Sequence, residues 1–262
     1  SQGDYRAADS RRKTIHGILS EYPYQTTLSG RSMTAARFQE TVGMGHPRND
    51  VRADRFIFFD MGNVLLNFDH QVAWQQMARL CKIDSDVVRE TVFEGPMQLR
   101  YERGELSSQE FYELFCQQLQ VQPDYQLLMK AASDIFQPAD EVIQIVVGLK
   151  AAGCQLGLLS NTCEAHWEWI QTLGFRWLET CFENVILSYR VHCLKPEPEI
   201  YVVAAREARR PPAELLLVDD RFENVVAARE AGWDAIHFTG VVDLVTQLQL
   251  HQVLDPSERP GE

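Results

Sequence analysis

Asp60, Ser160, Asn161, Asp219 and Asp220 stand where apolar runs break off, and their types suit chemistry on an anion. Asp60 follows Phe56-Ile57-Phe58-Phe59 and precedes Met61-Gly62-Asn63, where glycine and asparagine let the backbone turn sharply. Ser160-Asn161-Thr162 follow the apolar run 155–159, and Asp219-Asp220 follow Leu215-Leu216-Leu217-Val218. Lys195 lies in a loop stiffened by Pro196 and Pro198. Each has a plain alternative: Asp60 can cap the next turn, Ser160-Asn161-Thr162 can start a helix, Lys195 can be a solvated charge, and Asp219-Asp220 can be a polar turn. Together they imply more. Carboxylates converging on one crevice repel unless a cation sits among them, and oxygen ligands suit a hard divalent ion.

The runs before these residues are continuous rather than alternating, the pattern of parallel strands buried on both faces. In open α/β sheets, ligands sit beyond the carboxyl ends of such strands. From Pro138 onward helical periodicity alternates with strand-like runs: helices over 141–152, 164–173, 197–208, 222–231 and 241–250, strands over 155–159, 184–187, 215–218 and 234–238. Gly232 stands where a left-handed helix cap is expected. The pattern predicts an α/β fold, a doubly wound parallel sheet with helices on both faces. Between the first two strands, helical patterns run over 72–80, 87–93, 110–119 and 125–135, with starts signalled by Asp84-Ser85 and by Ser107-Ser108 followed by Glu110. This insertion is too long for a connection and predicts a four-helix cap beside the sheet. The expected division is a core of 55–66 and 139–250, a cap of 67–138, a disordered extension over 1–54 and a flexible tail over 251–262.

The net charge is −12, and residues 1–54 hold eight basic and six acidic side chains, so the remaining 208 residues carry −14. An acidic body repels phosphate backbones, which argues against nucleic acid as a partner but leaves room for a small anion beside a divalent cation. Cys81, Cys116, Cys154, Cys163, Cys181 and Cys193 include no Cys-x-x-Cys pair and sit mostly in apolar, periodic segments, as reduced core residues of a cytoplasmic protein do. No run of 18 uncharged apolar residues exists, so no membrane span is expected.

Asp60-Met61-Gly62-Asn63-Val64-Leu65, Ser160-Asn161-Thr162, Lys195-Pro196 and Val218-Asp219-Asp220, in that order, resemble the four motifs of the haloacid dehalogenase superfamily. Within it the chain is most similar to the D-x-G-N-V sugar-phosphate phosphatases, of the kind that act on α-glucose 1-phosphate. Tyr101-Glu102-Arg103-Gly104-Glu105, His166 and Lys195-Pro196-Glu197-Pro198-Glu199 support that placement. The resemblance implies that Asp60 is the nucleophile, forming an aspartyl-phosphate, while Ser160 and the Asn161 amide bind phosphoryl oxygens and Lys195 neutralises charge. It further implies Mg²⁺ held by Asp60, the Gly62 carbonyl and Asp220, with Asp219 ligating directly or through water and Asn224 orienting these groups.

Gly62 departs from most phosphatases of the superfamily, which place a second aspartate there as general acid. Such a group is typically worth about 10²- to 10⁴-fold in rate. Its loss is most tolerable when the leaving group is good, as an anomeric sugar oxygen is. His166 is a candidate substitute acid, although a packed histidine is the commoner arrangement. His192 replaces a glycine frequent in relatives and bears on how Lys195 is placed. Arg103, Tyr101 and Glu102 in the cap are candidates for contacting the rest of the substrate. The expectation is a Mg²⁺-dependent phosphatase acting on a small phosphorylated substrate, monomeric or homodimeric. The alternatives are a metal-independent dehalogenase and a catalytically weak domain that binds a phosphorylated ligand or a protein.

Overall fold

The computed structural model describes residues 55–254. The extension expected over 1–54 and the final part of the tail, 255–262, lie outside the described residues. In chain order the strands are β1 (Phe56–Phe59), β2 (Leu66–Asn67), β3 (Gln137–Pro138), β4 (Gln155–Ser160), β5 (Asn184–Leu187), β6 (Leu215–Asp219) and β7 (Asp234–His237). Five of them form one parallel sheet in the order β5-β4-β1-β6-β7. The order places β1 at the centre, as its four consecutive buried residues require. Phe56 and Phe58 pack on one face of the sheet and Ile57 and Phe59 on the other. Burying such side chains contributes roughly 1.5–3 kcal/mol each.

The helices before β4 are α1 (His70–Cys81), α2 (Ser85–Val88), which runs on into a π turn at Arg89–Phe93, α3 (Pro96–Glu102), α4 (Ser108–Leu119), α5 (Tyr125–Ser133) and α6 (Asp140–Ala151). Those after it are α7 (Glu164–Thr172), α8 (Arg176–Cys181), α9 (Ser188–Val191), α10 (Pro198–Ala208), α11 (Phe222–Glu230) and α12 (Val241–Leu250). Residues of α6, α7, α8 and α12 cover the Ile57 face and those of α10 and α11 the Phe56 face. Helices therefore lie on both sides of the sheet, as the alternating pattern predicts.

The insertion from α1 to α5 has its own core, with Met77, Val88, Met97, Phe111, Phe115 and Leu128 buried together. It joins the sheet through a short antiparallel stem, Leu66 opposite Pro138 and Asn67 opposite Gln137. The predicted start signals operate. Asp84 accepts from the Asp86 amide at 2.8 Å, and Ser107 and Glu110 form a reciprocal capping box. Beyond the four expected helical segments there is a further one, α3, of seven residues with Pro96 at its first turn. It spans too few turns to show a period, and α8 and α9 were illegible for the same reason. In the expected tail, residues 251–254 are described, and Val253 is buried on the core. The six cysteines are unpaired. Among the described residues no helix is long and apolar enough to cross a membrane.

Candidate active site

Strand register brings the motif residues level. Phe59 sits between Leu158 of β4 and Val218 of β6, so the residues that follow, Asp60, Leu159 and Asp219, emerge together at the carboxyl edge of the sheet. The Asp60 amide continues the ladder to the Val218 carbonyl at 2.9 Å, which fixes the carboxylate's point of exit. Its Oδ1 also accepts from the Met61 amide at 2.7 Å. The edge opens into a cleft of about 280 Å³ lined by Asp60, Gly62, Ser160, Asn161, Lys195 and Asp220 from the core and by Gln98, Leu99 and Glu102 from the insertion.

Lys195 is buried, and its ammonium uses all three hydrogens. Nζ lies 2.9 Å from Asp60 Oδ1, 2.6 Å from Asp219 Oδ2 and 2.7 Å from the Leu159 carbonyl. Burial works against its charge, but Asp219 and Asp60 outweigh that and hold the amine above the usual lysine range. Burial pushes Asp60 up to about 7, with Lys195 opposing and Asp219 and Asp220 reinforcing the rise. Asp220, half-buried, is also raised, first by burial and then by Asp219.

Oxygen atoms of Asp60, Asp219 and Asp220 lie within 4.8 Å of one another, three carboxylates against one ammonium. The donor set fits a hard divalent cation. Among the described residues nothing donates to the buried Asn224 Oδ1, a spare acceptor beside the same cluster that a hydrated cation would satisfy. Asp219 is the most committed of the three: Oδ1 accepts from Asn224 Nδ2 and the Arg221 amide, both at 2.9 Å, and Oδ2 from Lys195. Asp220 accepts only a long 3.4 Å contact from Asn63 Nδ2 on its side chain. Of the two, Asp220 is freer to take a ligand, and Asp219 positions Lys195.

The loop carrying Lys195 is held by its backbone. Asn161 Nδ2 donates to the Lys195 carbonyl and Asn161 Oδ1 accepts from the Lys195 amide, both at 2.8 Å. The resemblance gave Asn161 a backbone role toward phosphate; its side chain is a clamp on the neighbouring motif. Ser160 is buried at the end of β4, and its hydroxyl makes only a 3.4 Å contact with the Asn161 carbonyl, which leaves it available to a ligand. His192 adopts φ 56° and ψ 28°, a left-handed conformation that glycine takes most readily, and Lys195 is nonetheless fully engaged.

Arg103, expected to contact the substrate, does not line the cleft. Its guanidinium grips Glu197 through two bonds of 2.7 and 2.5 Å, and Glu197 in turn accepts from the Leu194 amide at 3.2 Å. An arginine fork matches a carboxylate two residues past Lys195 better than it reaches the cleft. Tyr101 also turns away: its hydroxyl accepts from the Ala165 amide at 3.0 Å and lies 2.6 Å from Ser108 Oγ. Glu102 does line the cleft, with Gln98 Nε2 donating to its carboxylate at 2.8 Å. His166 lines it as well. It is buried edge-on to Phe136, with Nε2 3.3 Å from the Ala132 carbonyl, and burial pushes it down to about 4, the packed arrangement rather than that of a readily protonated acid.

Aromatic residues that sequence reasoning passed over form one wall. Phe68 packs on His70 at 4.9 Å and Phe136 at 5.8 Å, and His70 packs on Phe93 at 5.1 Å. The Phe68 ring also crowds position 62: a Cβ there would lie 2.7 Å from Phe68 Cε1, so a side chain at that position would require the ring to shift. Phe68 stands in a polar stretch just past the first motif and gives no sequence signal of this role. Glu197 figures in the sequence reading only as part of the Lys195 motif, and its pairing with Arg103 was not foreseen.

Residues 55–232 match the family model described as haloacid dehalogenase-like hydrolase. A D-ribitol-5-phosphate phosphatase of Bacteroides thetaiotaomicron is 26% identical over 183 residues, 68% of this chain and 88% of that protein. The bifunctional riboflavin kinase/FMN phosphatase of Arabidopsis thaliana is 29% identical over 146 residues, 56% of this chain but only 38% of that longer protein. A haloacid dehalogenase family enzyme of B. thetaiotaomicron, solved in complex with magnesium and inorganic phosphate, shares the fold at a TM-score of 0.63 and 24% identity, over 70% of this chain and 92% of its own. With its core motifs on one sheet edge and the family match spanning most of its length, the chain belongs to the haloacid dehalogenase-like hydrolases.

Proposed function

We propose that the chain is a magnesium-dependent phosphatase that hydrolyses a small phosphomonoester, a sugar or polyol phosphate, through an aspartyl-phosphate on Asp60. The observation that carries this reading is Lys195 Nζ, held between Asp60 Oδ1 and Asp219 Oδ2 at the end of the central strand. An ammonium there screens the nucleophile from the incoming dianion. Ser160 Oγ and the Asn161 amide bind phosphoryl oxygens, Asp60 attacks phosphorus, and water then displaces the carboxylate to release phosphate. Asp60, the Gly62 carbonyl and Asp220 would hold the magnesium ion, which when bound offsets the negative charge on the phosphoryl oxygens. The aromatic wall beside Gln98 and Glu102 suits a leaving group with both apolar and hydroxyl faces. The named phosphatase relatives support the reaction class.

Dehalogenation uses the same nucleophile and needs no general acid, but it gives no reason to gather Asp219 and Asp220 beside Asp60. A phosphate-release assay with 4-nitrophenyl phosphate and a panel of sugar and polyol phosphates, with and without Mg²⁺, tests the proposal. Halide release from 2-chloropropionate without metal, and no phosphate release, would replace it with the dehalogenase reading.

A further inference from the structure

Residue 62 is glycine and has no side chain to protonate the leaving oxygen, and the Phe68 ring lies 2.7 Å from where a Cβ there would stand. The other ionisable groups lining the cleft are Asp60, His70, Glu102, His166, Lys195, Asp220 and Arg221. Asp60 is the nucleophile of the reading above, and Asp220 belongs to the carboxylate cluster. Lys195 has every hydrogen engaged. Burial works against the charged form of both His70 and His166, which makes neither a ready source of an imidazolium proton. Arg221 does not release a proton in water. Glu102 remains.

Its placement suits the task. The residue ends α3, where Gln98, one turn earlier, donates to one carboxylate oxygen at 2.8 Å, and among the described residues no hydrogen bond engages the other. Among the described residues no Lys, Arg or His lies within ion-pair distance of it, although Arg221 faces it from the core loop and Cys163 from the start of α7. Desolvation raises Glu102 above the usual carboxylate range, with Gln98 and Arg221 opposing.

It is also fixed to the core, although it belongs to the insertion. The Glu102 carbonyl accepts from Ser188 Oγ at 2.7 Å, while the residues either side are tied by Tyr101 to the Ala165 amide and by Arg103 to Glu197. The next residue, Gly104, has φ 71°, and a Cβ there would run into the Tyr189 carbonyl, so this segment lies flat against the core. A proton donor needs such anchoring, because transfer demands hydrogen-bond reach to a defined atom.

We propose that Glu102 is the proton donor of the reaction, supplied by the insertion in place of an acid at position 62. This rests on the phosphatase reading. As Asp60 Oδ bonds to phosphorus and the ester P–O bond breaks, the Glu102 carboxyl proton passes to the leaving oxygen, giving the alcohol and a Glu102 carboxylate. That carboxylate then takes a proton from the water attacking the aspartyl-phosphate. The P–O bond to Asp60 breaks, and inorganic phosphate, free Asp60 and protonated Glu102 result.

The test is the leaving-group dependence of kcat/KM, which reports the step that forms the aspartyl-phosphate. Wild type and Glu102→Gln are compared on 4-nitrophenyl phosphate and phenyl phosphate with Mg²⁺. Glutamine keeps the shape and the Gln98 contact but has no acidic proton. The proposal expects Glu102→Gln to lose about 10²-fold or more on phenyl phosphate, the poorer leaving group, and only about threefold on 4-nitrophenyl phosphate. An equal loss on both esters, or no loss on either, would assign Glu102 a merely positioning or structural part and overturn it. Should Glu102→Gln not fold, by thermal unfolding against wild type, Glu102→Asp gives the same readout: a steeper leaving-group dependence supports the proposal and an unchanged one refutes it. Wild type that releases phosphate from neither ester would remove the phosphatase reading and this inference together; wild type active with an unchanged slope in the variants removes this inference alone.

Discussion

The ring of Phe68 occupies the space into which a side chain at Gly62 would project, with Cε1 2.7 Å from the position of a Cβ. A side chain at position 62 would have to displace Phe68, which packs against His70 and Phe136. Gly62→Asp should cost about 1–3 kcal/mol by overpacking, read as a fall in the midpoint of chemical unfolding. Phe68→Ala in the same chain should return most of the difference caused by the clash. Equal stability of Gly62→Asp and wild type would show that the ring yields freely.

Asn161 grips the Lys195 backbone at both its amide and its carbonyl. Asn161→Ala should weaken the reaction by about 1–3 kcal/mol, the range for unpairing buried hydrogen-bonding groups, or about 5- to 150-fold in kcat/KM. The loss should be similar for every substrate, because the clamp acts on Lys195 and not on the leaving group. Steady-state kinetics on two chemically unlike phosphate esters checks this.

Arg103 and Glu197 form a two-bond pair that is partly exposed, with side chains 28% and 34% accessible. A double-mutant cycle of Arg103→Ala and Glu197→Ala should therefore give a modest coupling of about 0.5–1 kcal/mol in stability. Arg103→Ala should not change the ranking of substrates. A reordered specificity would return Arg103 to the substrate-contacting part that its sequence position suggested.

His166 carries a pH signature. Burial, with His70 adding to it, depresses its folded-state value to about 4, whereas unfolded histidine titrates near 6.5. Below pH about 6.5 the unfolded chain takes up a proton that the folded chain refuses, so this contribution to stability is complete above about 6.5 and is lost as pH falls toward about 4. The whole step is on the order of 3 kcal/mol. His166→Phe should flatten that part of the stability curve between pH 4 and 6.5, measured by urea unfolding across pH. An unchanged slope would mean that His166 does not titrate in this window.

The sheet and three of the four motifs were legible because Asp60, Ser160-Asn161 and Asp219-Asp220 each end a strand-like run, and a run buried on both faces has few other homes than a parallel strand. The inserted helices announced themselves through caps at Asp84 and Ser107. What escaped was set by packing rather than pattern. The helix Pro96–Glu102, which brings Glu102 to the cleft, is too short for periodicity to show. The direction of Arg103 depends on Glu197, 94 residues away in the chain, and no local spacing encodes that pairing. Phe68 blocks Gly62 only because the chain folds back through the short stem at Leu66–Asn67.

The most direct measurement of the central claim is inorganic phosphate release from 4-nitrophenyl phosphate by wild type and Asp60→Asn, each with Mg²⁺ and with excess chelator. The account predicts turnover by wild type that disappears on chelation, and at least about a 10³-fold loss in Asp60→Asn with folding retained, since the nucleophile forms the covalent intermediate. Phosphate release by Asp60→Asn at a rate near that of wild type would contradict it.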